Sequence, residues 1–340
     1  PRDWSGALVA GLAGLREMQN GRLMVAPGLL HLSGTVTTPE IQAKIEAHLS
    51  RKPAEFLLTR RFDLVDDGTP PDFTLAYDAQ SGARLSGKLP KGLDAAQITQ
   101  ILQLPYIEDT AQVGLIGRAD FTRQVLRVLA DWLRHFEQFE FQYSAGQLAL
   151  KGVAAPGVAA EDLTAALSSR FVIATEISEA GPSADIGAER IHARSGLLER
   201  RVPGAWVPVY SFEPTAARCS AATSTILEQE HLGFGEGLAR FDVSAAPALA
   251  HLAGLIGHCL RNSALRVDAV DHSFSMQSEA ENDQLSRARA AALVAALTAL
   301  GLTKERIRPK GFGDRRPHDT QQLSFAQPAD RIEFIWDEQP

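Results

Sequence analysis

The chain has 340 residues, 45% hydrophobic and 22% charged, with a formal charge of −7 at pH 7. That makes it globular, with length for roughly two to four domains, and its acidity without a concentrated basic face excludes phosphate-driven nucleic-acid binding and charge-driven membrane adhesion. No apolar run approaches the ~18 residues of a spanning helix, and the opening PRDWSGALVAGLAGL is too short and too lightly charged in front for a signal peptide, so an anchor or export signal is expected upstream of residue 1.

In chain order, the first half predicts an internal repeat. LLHLSGTVTTPEIQAKIEAHL (29–49), GARLSGKLPKGLDAAQITQIL (82–102) and QLALKGVAAPGVAAEDLTAAL (147–167) each read as a strand ending in Leu, a polar residue and Gly, then a proline turn, then a helix. The glycines are Gly34, Gly87 and Gly152, expected at close-packing or bulge positions. Each copy is preceded by a short strand (GRLMVAP, DFTLAYD, FEFQYSA) across a turn with Gly28, Gly82 or Gly146, and followed by a third (AEFLLTRRFDL, AQVGLIG, RFVIATEI). A helix leads copies one (SGALVAGLAGLREM) and three (DFTRQVLRVLADWLRHF), and none leads copy two.

This helix, strand, strand, helix, strand order with the LxG motif at its middle resembles the BON domain, a small α+β module of bacterial envelope proteins. The first copy matches best and the second departs most. The resemblance implies envelope or protein contacts without catalysis. The corresponding modules are placed at 1–66, 67–118 and 119–180.

Residues 181–214, rich in Gly, Pro, Ser and Arg, read as a linker with an extended segment, AWVPVYSF. From 215 the pattern is helix, strand, helix, strand, with Ser244 as the expected N-cap of a helix ending near Cys259, then a polar loop, a helix over 283–300 ending at Gly301, and a last strand, DRIEFIWD. Ile332 and Phe334 alternate as in a half-buried strand, and Leu285, Arg289, Leu293 and Leu297 stand four apart along one stripe of the helix. The two cysteines, Cys219 and Cys259, lie in the helical stretches at either end of this pattern, as free buried thiols or as one bridge.

The run NDQLSRARAAALVAALTALGLTKERIRPKGFGDRRP followed by RIEF resembles the OmpA-like C-terminal domain of peptidoglycan-associated proteins, with its LSxxRA, RIxxxGxGxxxP and NRRIEF elements. The fold class expected for the whole is therefore α+β, tandem αββαβ modules followed by an OmpA-like βαβαβ domain at 215–340. The resemblance also implies a disulfide between Cys219 and Cys259 and, with it, an oxidising compartment, the periplasm of a Gram-negative envelope.

Family function is peptidoglycan anchoring, in which the Asp of a GHTD motif and the Arg of LSxxRA grip the two charged ends of diaminopimelate. Asn282 and Arg289 are kept. The GHTD slot reads Asp271, His272, Ser273 and Phe274, so the ligand-gripping Asp is replaced by Phe274. The NRRIEF slot reads Ala329, Asp330, Arg331 and onward. The ligand set expected from the resemblance is Arg289, Asn282, Asp271, His272 and Arg331, with Phe274 as a protein contact. Loss of one charge-assisted bond costs about 1.5–3 kcal/mol, so peptidoglycan as a partner is expected to be weakened. Arg289 then either keeps the ligand's carboxylate or pairs internally with Asp330, Asp271 or Asp283. The alternative to a wall tether is a scaffold that docks a protein partner.

No catalytic constellation is present. His251 and His258 share a helix face but lack a metal-ligand partner set, so neither metal nor cofactor is expected. GFGEG (233–237) and GFGD (311–314) lack the Lys-Ser/Thr of a phosphate loop. The aromatic run at 132–143 reads as core packing of a helix and an alternating strand. The chain is expected to be a non-enzyme.

Overall fold

A computed structural model describes residues 4–181, 185–273, 278–313 and 330–338. The first unit runs α1 (Trp4–Arg16), β1 (Asn20–Ala26), β2 (Leu29–Val36), α2 (Pro39–Leu49) and β3 (Leu57–Leu64). Its sheet has the order β1-β2-β3, with β1 antiparallel and β3 parallel to β2. Thr38 caps α2 by accepting from the Ile41 amide, and Pro39 occupies the first turn, where its missing N–H costs nothing. Leu30, Leu32, Val36, Ile45 and Leu49 form a small core of its own.

The next two repeats share one sheet. Copy two supplies β4 (Asp72–Asp78), β5 (Gly82–Leu89), α3 (Ala95–Leu102), β6 (Ile107–Asp109) and β7 (Gln112–Val113). Copy three supplies α4 (Ala119–Trp132), β8 (Phe136–Ser144), β9 (Gln147–Ala154), α5 (Ala160–Ser168) and β10 (Ala174–Ser178). The order is β10-β9-β8-β4-β5-β6, with β7 also on β5. The antiparallel pair β4–β8 is the seam, Leu75 opposite Phe141, with Phe73 stacked on Tyr143 at 5.5 Å. Phe73, Leu75, Phe139, Phe141, Leu85 and Leu150 meet α3, α4 and α5 on one face in a single core. Each such buried side chain contributes about 2–3 kcal/mol of transfer free energy. Copy two has no leading helix, and α4 packs against α3.

The repeat glycines have one common cause. A Cβ at Gly34, Gly87 or Gly152 would collide with a backbone carbonyl of the neighbouring hairpin strand, at Asn20, Asp72 and Gln138 respectively. The LxG signature is thus a close-approach site repeated three times.

Residues read from sequence as a linker include an antiparallel meander: β11 (Glu189–Ile191), β12 (Leu198–Val202) and β13 (Ala205–Pro208). Its inward positions carry Arg190, Glu199 and Arg201, all buried, so hydrophobic alternation could not reveal it.

The C-terminal unit contains α6 (Ala216–Gln229), α7 (Ala246–Cys259), β14 (Leu265–His272), α8 (Glu279–Ala299), β15 (Ile307–Gly311) and β16 (Arg331–Glu338). Its sheet, among the described residues, is β15-β14-β16, parallel on one side and antiparallel on the other. The expected first strand is reduced to a hairpin-like turn with one bridge, Phe234 to Phe241. Ser244 does not cap α7; its hydroxyl turns back to Asp242, and a short 3-10 turn (Val243–Ala245) leads into the helix. Cys219 and Cys259 form a disulfide joining α6 to the end of α7. Leu252, Ile256, Val267, Leu293, Leu297, Phe334 and Trp336 fill the core. No helix among the described residues is long and apolar enough to cross a membrane.

Candidate functional site

The sequence places the expected site at the C-terminal end of β14 and the start of α8. Ser278 caps α8, its hydroxyl accepting from the Glu281 amide at 3.3 Å and donating to the Glu281 carboxylate at 2.7 Å. From that start, Asn282, Ser286 and Arg289 fall on one buried line facing the sheet. Ser286 fixes the helix to the strand-end loop: its hydroxyl accepts from the Gly313 amide at 2.9 Å and donates to the Asp283 carbonyl at 3.2 Å. Gly311 is required there, since a Cβ would strike the backbone of Ser286 and Arg287.

Arg289 is 3% exposed. Its Nη1 donates to Asp330 Oδ2 at 2.6 Å and to Ser273 Oγ at 3.4 Å, its Nε to the Leu238 carbonyl at 2.9 Å, and its Nη2 to the Gly235 carbonyl at 3.4 Å. The guanidinium also lies 5.0 Å from the centre of the Phe234 ring, itself stacked on Phe241 at 4.2 Å. Every nitrogen of the fork therefore has a partner within the chain. The bridge between Phe234 and Phe241 folds the 234–241 turn so that two carbonyls point at the arginine.

Asp271 is 2% exposed and accepts from Ser273 Oγ at 2.6 Å. Burial pushes its carboxyl up to about 6, against the opposing pull of the Ser273 hydroxyl and the Arg289 charge. His272 is 1% exposed, its Nε2 donating to Glu333 Oε1 at 2.7 Å, and its ring is stacked on Phe312. That hydrogen bond, with the charges of His272 and Arg331, holds Glu333 below the ordinary carboxylate value against its desolvation. Arg331 is half-buried opposite His272 in the β14–β16 register. Asn282 is buried on α8. Phe274 lies outside the described residues.

The structure thus gathers Asp271, Arg289, Asp330 and Ser273 into one polar cluster, with His272 next to Asp271 on β14 and its partners Glu333 and Arg331 on β16. Sequence reading missed the carbonyls of Gly235 and Leu238, the Phe234 ring and the Ser273 bridge. Carbonyl acceptors carry no residue signature, and only the GFGEG turn hinted at them. Among the described residues no group of His, Cys, Asp or Glu is arranged to hold a metal ion.

The OmpA family model matches residues 233–331, and the C-terminal part of the chain is an OmpA-like domain. Among solved structures, the OmpA-like domain of FopA1 from Francisella tularensis subsp. tularensis SCHU S4 is similar at 24% identity, covering 32% of this chain and 70% of that one, with a TM-score of 0.25. No curated protein matches the chain.

Proposed function

We propose that this chain is a non-enzymatic protein of the bacterial cell envelope, a periplasmic scaffold whose OmpA-like domain no longer grips peptidoglycan. In this reading the BON-like repeats make the envelope or protein contacts. The observation that carries it is the internal engagement of Arg289, four of whose five N–H donors are taken within the chain. A ligand carboxylate would have to displace Asp330 from a 2.6 Å charge-assisted bond to be gripped in bidentate fashion. Asp271 is a poor substitute for the aspartate replaced by Phe274, because it is buried and its ionised form is disfavoured there. A Cys219–Cys259 bridge closing a 40-residue separation fits an oxidising compartment such as the periplasm.

Wall association remains the second reading, favoured by the partial exposure of Asp330, whose side chain is 38% accessible and could swing away to release the arginine. Cosedimentation of the full chain with insoluble peptidoglycan separates the two. The scaffold reading expects the parent protein in the supernatant and recovery of pelleting in a Phe274→Asp, Asp330→Ala double variant. A parent that pellets, and an Arg289→Ala variant that does not, would establish wall binding and end the scaffold proposal.

A further inference from the structure

A second polar site stands apart from Arg289, where the third repeat, the β11–β13 meander and helices α6 and α7 meet. They enclose a cavity of about 410 Å³, within the range of small-ligand pockets. Its lining includes the rings of Trp206 and Phe136, with Arg190 lying over the Trp206 ring, and the polar side chains of Arg134, Arg194 and His192.

The charges on these walls are not evenly spent. Arg190 is held between Glu199, at 2.9 Å, and Glu137, and lies 4.2 Å from the Trp206 ring centre. Arg134 bonds Glu230 at 3.0 Å, and Glu230 also pairs with His251. Both cavity glutamates are thus paired with a base, although Glu230 bonds through Oε1 alone and its buried Oε2 has no hydrogen-bond partner among the described residues. Arg194 differs: it donates to the Gln103 amide oxygen at 3.0 Å and the Ala130 carbonyl at 3.4 Å, both neutral acceptors, and the rest of its fork is unspent. Burial and the nearby Arg134 charge depress its basicity, against a smaller opposing pull from Tyr77 and Asp131.

His192 adds a second donor. The residue is 8% exposed, and its Nδ1 faces the Ser195 amide at 3.3 Å and hydroxyl at 3.2 Å. Burial and the surrounding arginines push the ring down to about 4, so it is neutral at pH 7. With Nδ1 accepting, the proton sits on Nε2, which reaches no acceptor among the described residues.

From this cavity, its unspent Arg194 fork, the unpartnered His192 Nε2 and the Trp206 wall, we propose a binding site for a small organic anion. The ligand would present a carboxylate or phosphate head to Arg194 and His192 and a flat or apolar body to Trp206. A planar guanidinium suits either head through paired N–H bonds, and an aromatic wall suits a ring. The site does not depend on whether Arg289 binds anything.

Isothermal titration of the full chain with inorganic phosphate and, separately, with glutarate tests it and distinguishes the two head groups. At least one anion should bind with a Kd below about 1 mM, and Arg194→Gln should weaken it about 10-fold or more, the loss of a charge-assisted bond. Arg240→Ala, on an exposed surface pair, should leave it unchanged. A readout that needs no variant is the indole N–H resonance of Trp206, which should move on titration while those of Trp4 and Trp336 stay. The proposal is overturned if neither anion binds at about 10 mM. It is equally overturned if binding is unaltered by Arg194→Gln, or if the Trp206 resonance does not respond.

Discussion

Arg289 and Arg194 are both carried into the protein by their surroundings, yet they end in opposite states. Arg289 meets a carboxylate, two main-chain carbonyls, a hydroxyl and an aromatic face, which take four of its five N–H donors. Among the described residues Arg194 hydrogen-bonds only an amide and one carbonyl, in a cavity where each glutamate already pairs with another base. An arginine standing in a recognisable motif is therefore no guide to an available cation. What decides availability is whether the acceptors around it suffice, because a buried guanidinium without enough acceptors keeps a desolvation cost that a ligand can offset.

The largest effect should come from the disulfide, which supports both arginines. The loop it closes carries Gly235 and Leu238 for Arg289 and Glu230 and His251 for the cavity. Replacing both cysteines with serine should cost about 4 kcal/mol in urea unfolding, by the chain-entropy of a loop of this length. A loss below about 1 kcal/mol would mean that the loop is held by packing alone.

The two sites should next separate by pH. Asp271 is raised from its ordinary 3.8 to about 6, so the folded state holds that proton more tightly. Its contribution is complete below about pH 4 and is lost as pH rises through 6, and Asp271→Asn should recover up to about 3 kcal/mol at pH 7. His192 runs the other way. Its ring falls from 6.5 to about 4 on folding, so its contribution is complete above about pH 6.5 and is lost as pH falls through 4. In His192→Gln the acid arm of the stability profile should flatten while the neutral arm stays. Chemical denaturation from pH 4 to 8 reads both, and parallel profiles for the two variants would erase the contrast.

Direct removal should distinguish the arginines themselves. Arg289→Met leaves Asp330 without its base and two carbonyls without a donor, a loss of about 2 kcal/mol, tempered because Asp330 can rehydrate. The same variant should move the Asp271 carboxyl further above about 6, measurable by carbon NMR titration, since the Arg289 charge now pulls it down. The smallest effect belongs to Arg194→Met: within about 1 kcal/mol of the parent, because no anion is stranded. A larger loss at Arg194 than at Arg289 would reverse the assignment of which one is structural.

Much of the architecture was legible because it rests on local rules. The LxG repeat, the capped helices and the alternation of Phe139, Phe141 and Tyr143 each follow from short-range periodicity and turn chemistry. The meander at 189–208 escaped, since its inward residues are Arg190, Glu199 and Arg201 rather than apolar ones. In the candidate site, the position of Arg289 and the aspartates able to meet it, Asp330 among them, were legible in the motif, but not the choice between them.

That choice, and the union of two repeats into one seven-stranded sheet, belong to tertiary structure. The seam between β4 and β8 joins strands about 60 residues apart through edges that local pattern leaves unassigned. The fate of a buried guanidinium depends likewise on carbonyls and carboxylates brought from distant turns, here Gly235, Leu238 and Asp330. Local sequence sets which surfaces must be covered and which charges must be answered. Only the packed chain supplies the partner, because burial and hydrogen bonding are satisfied in space and not along the backbone.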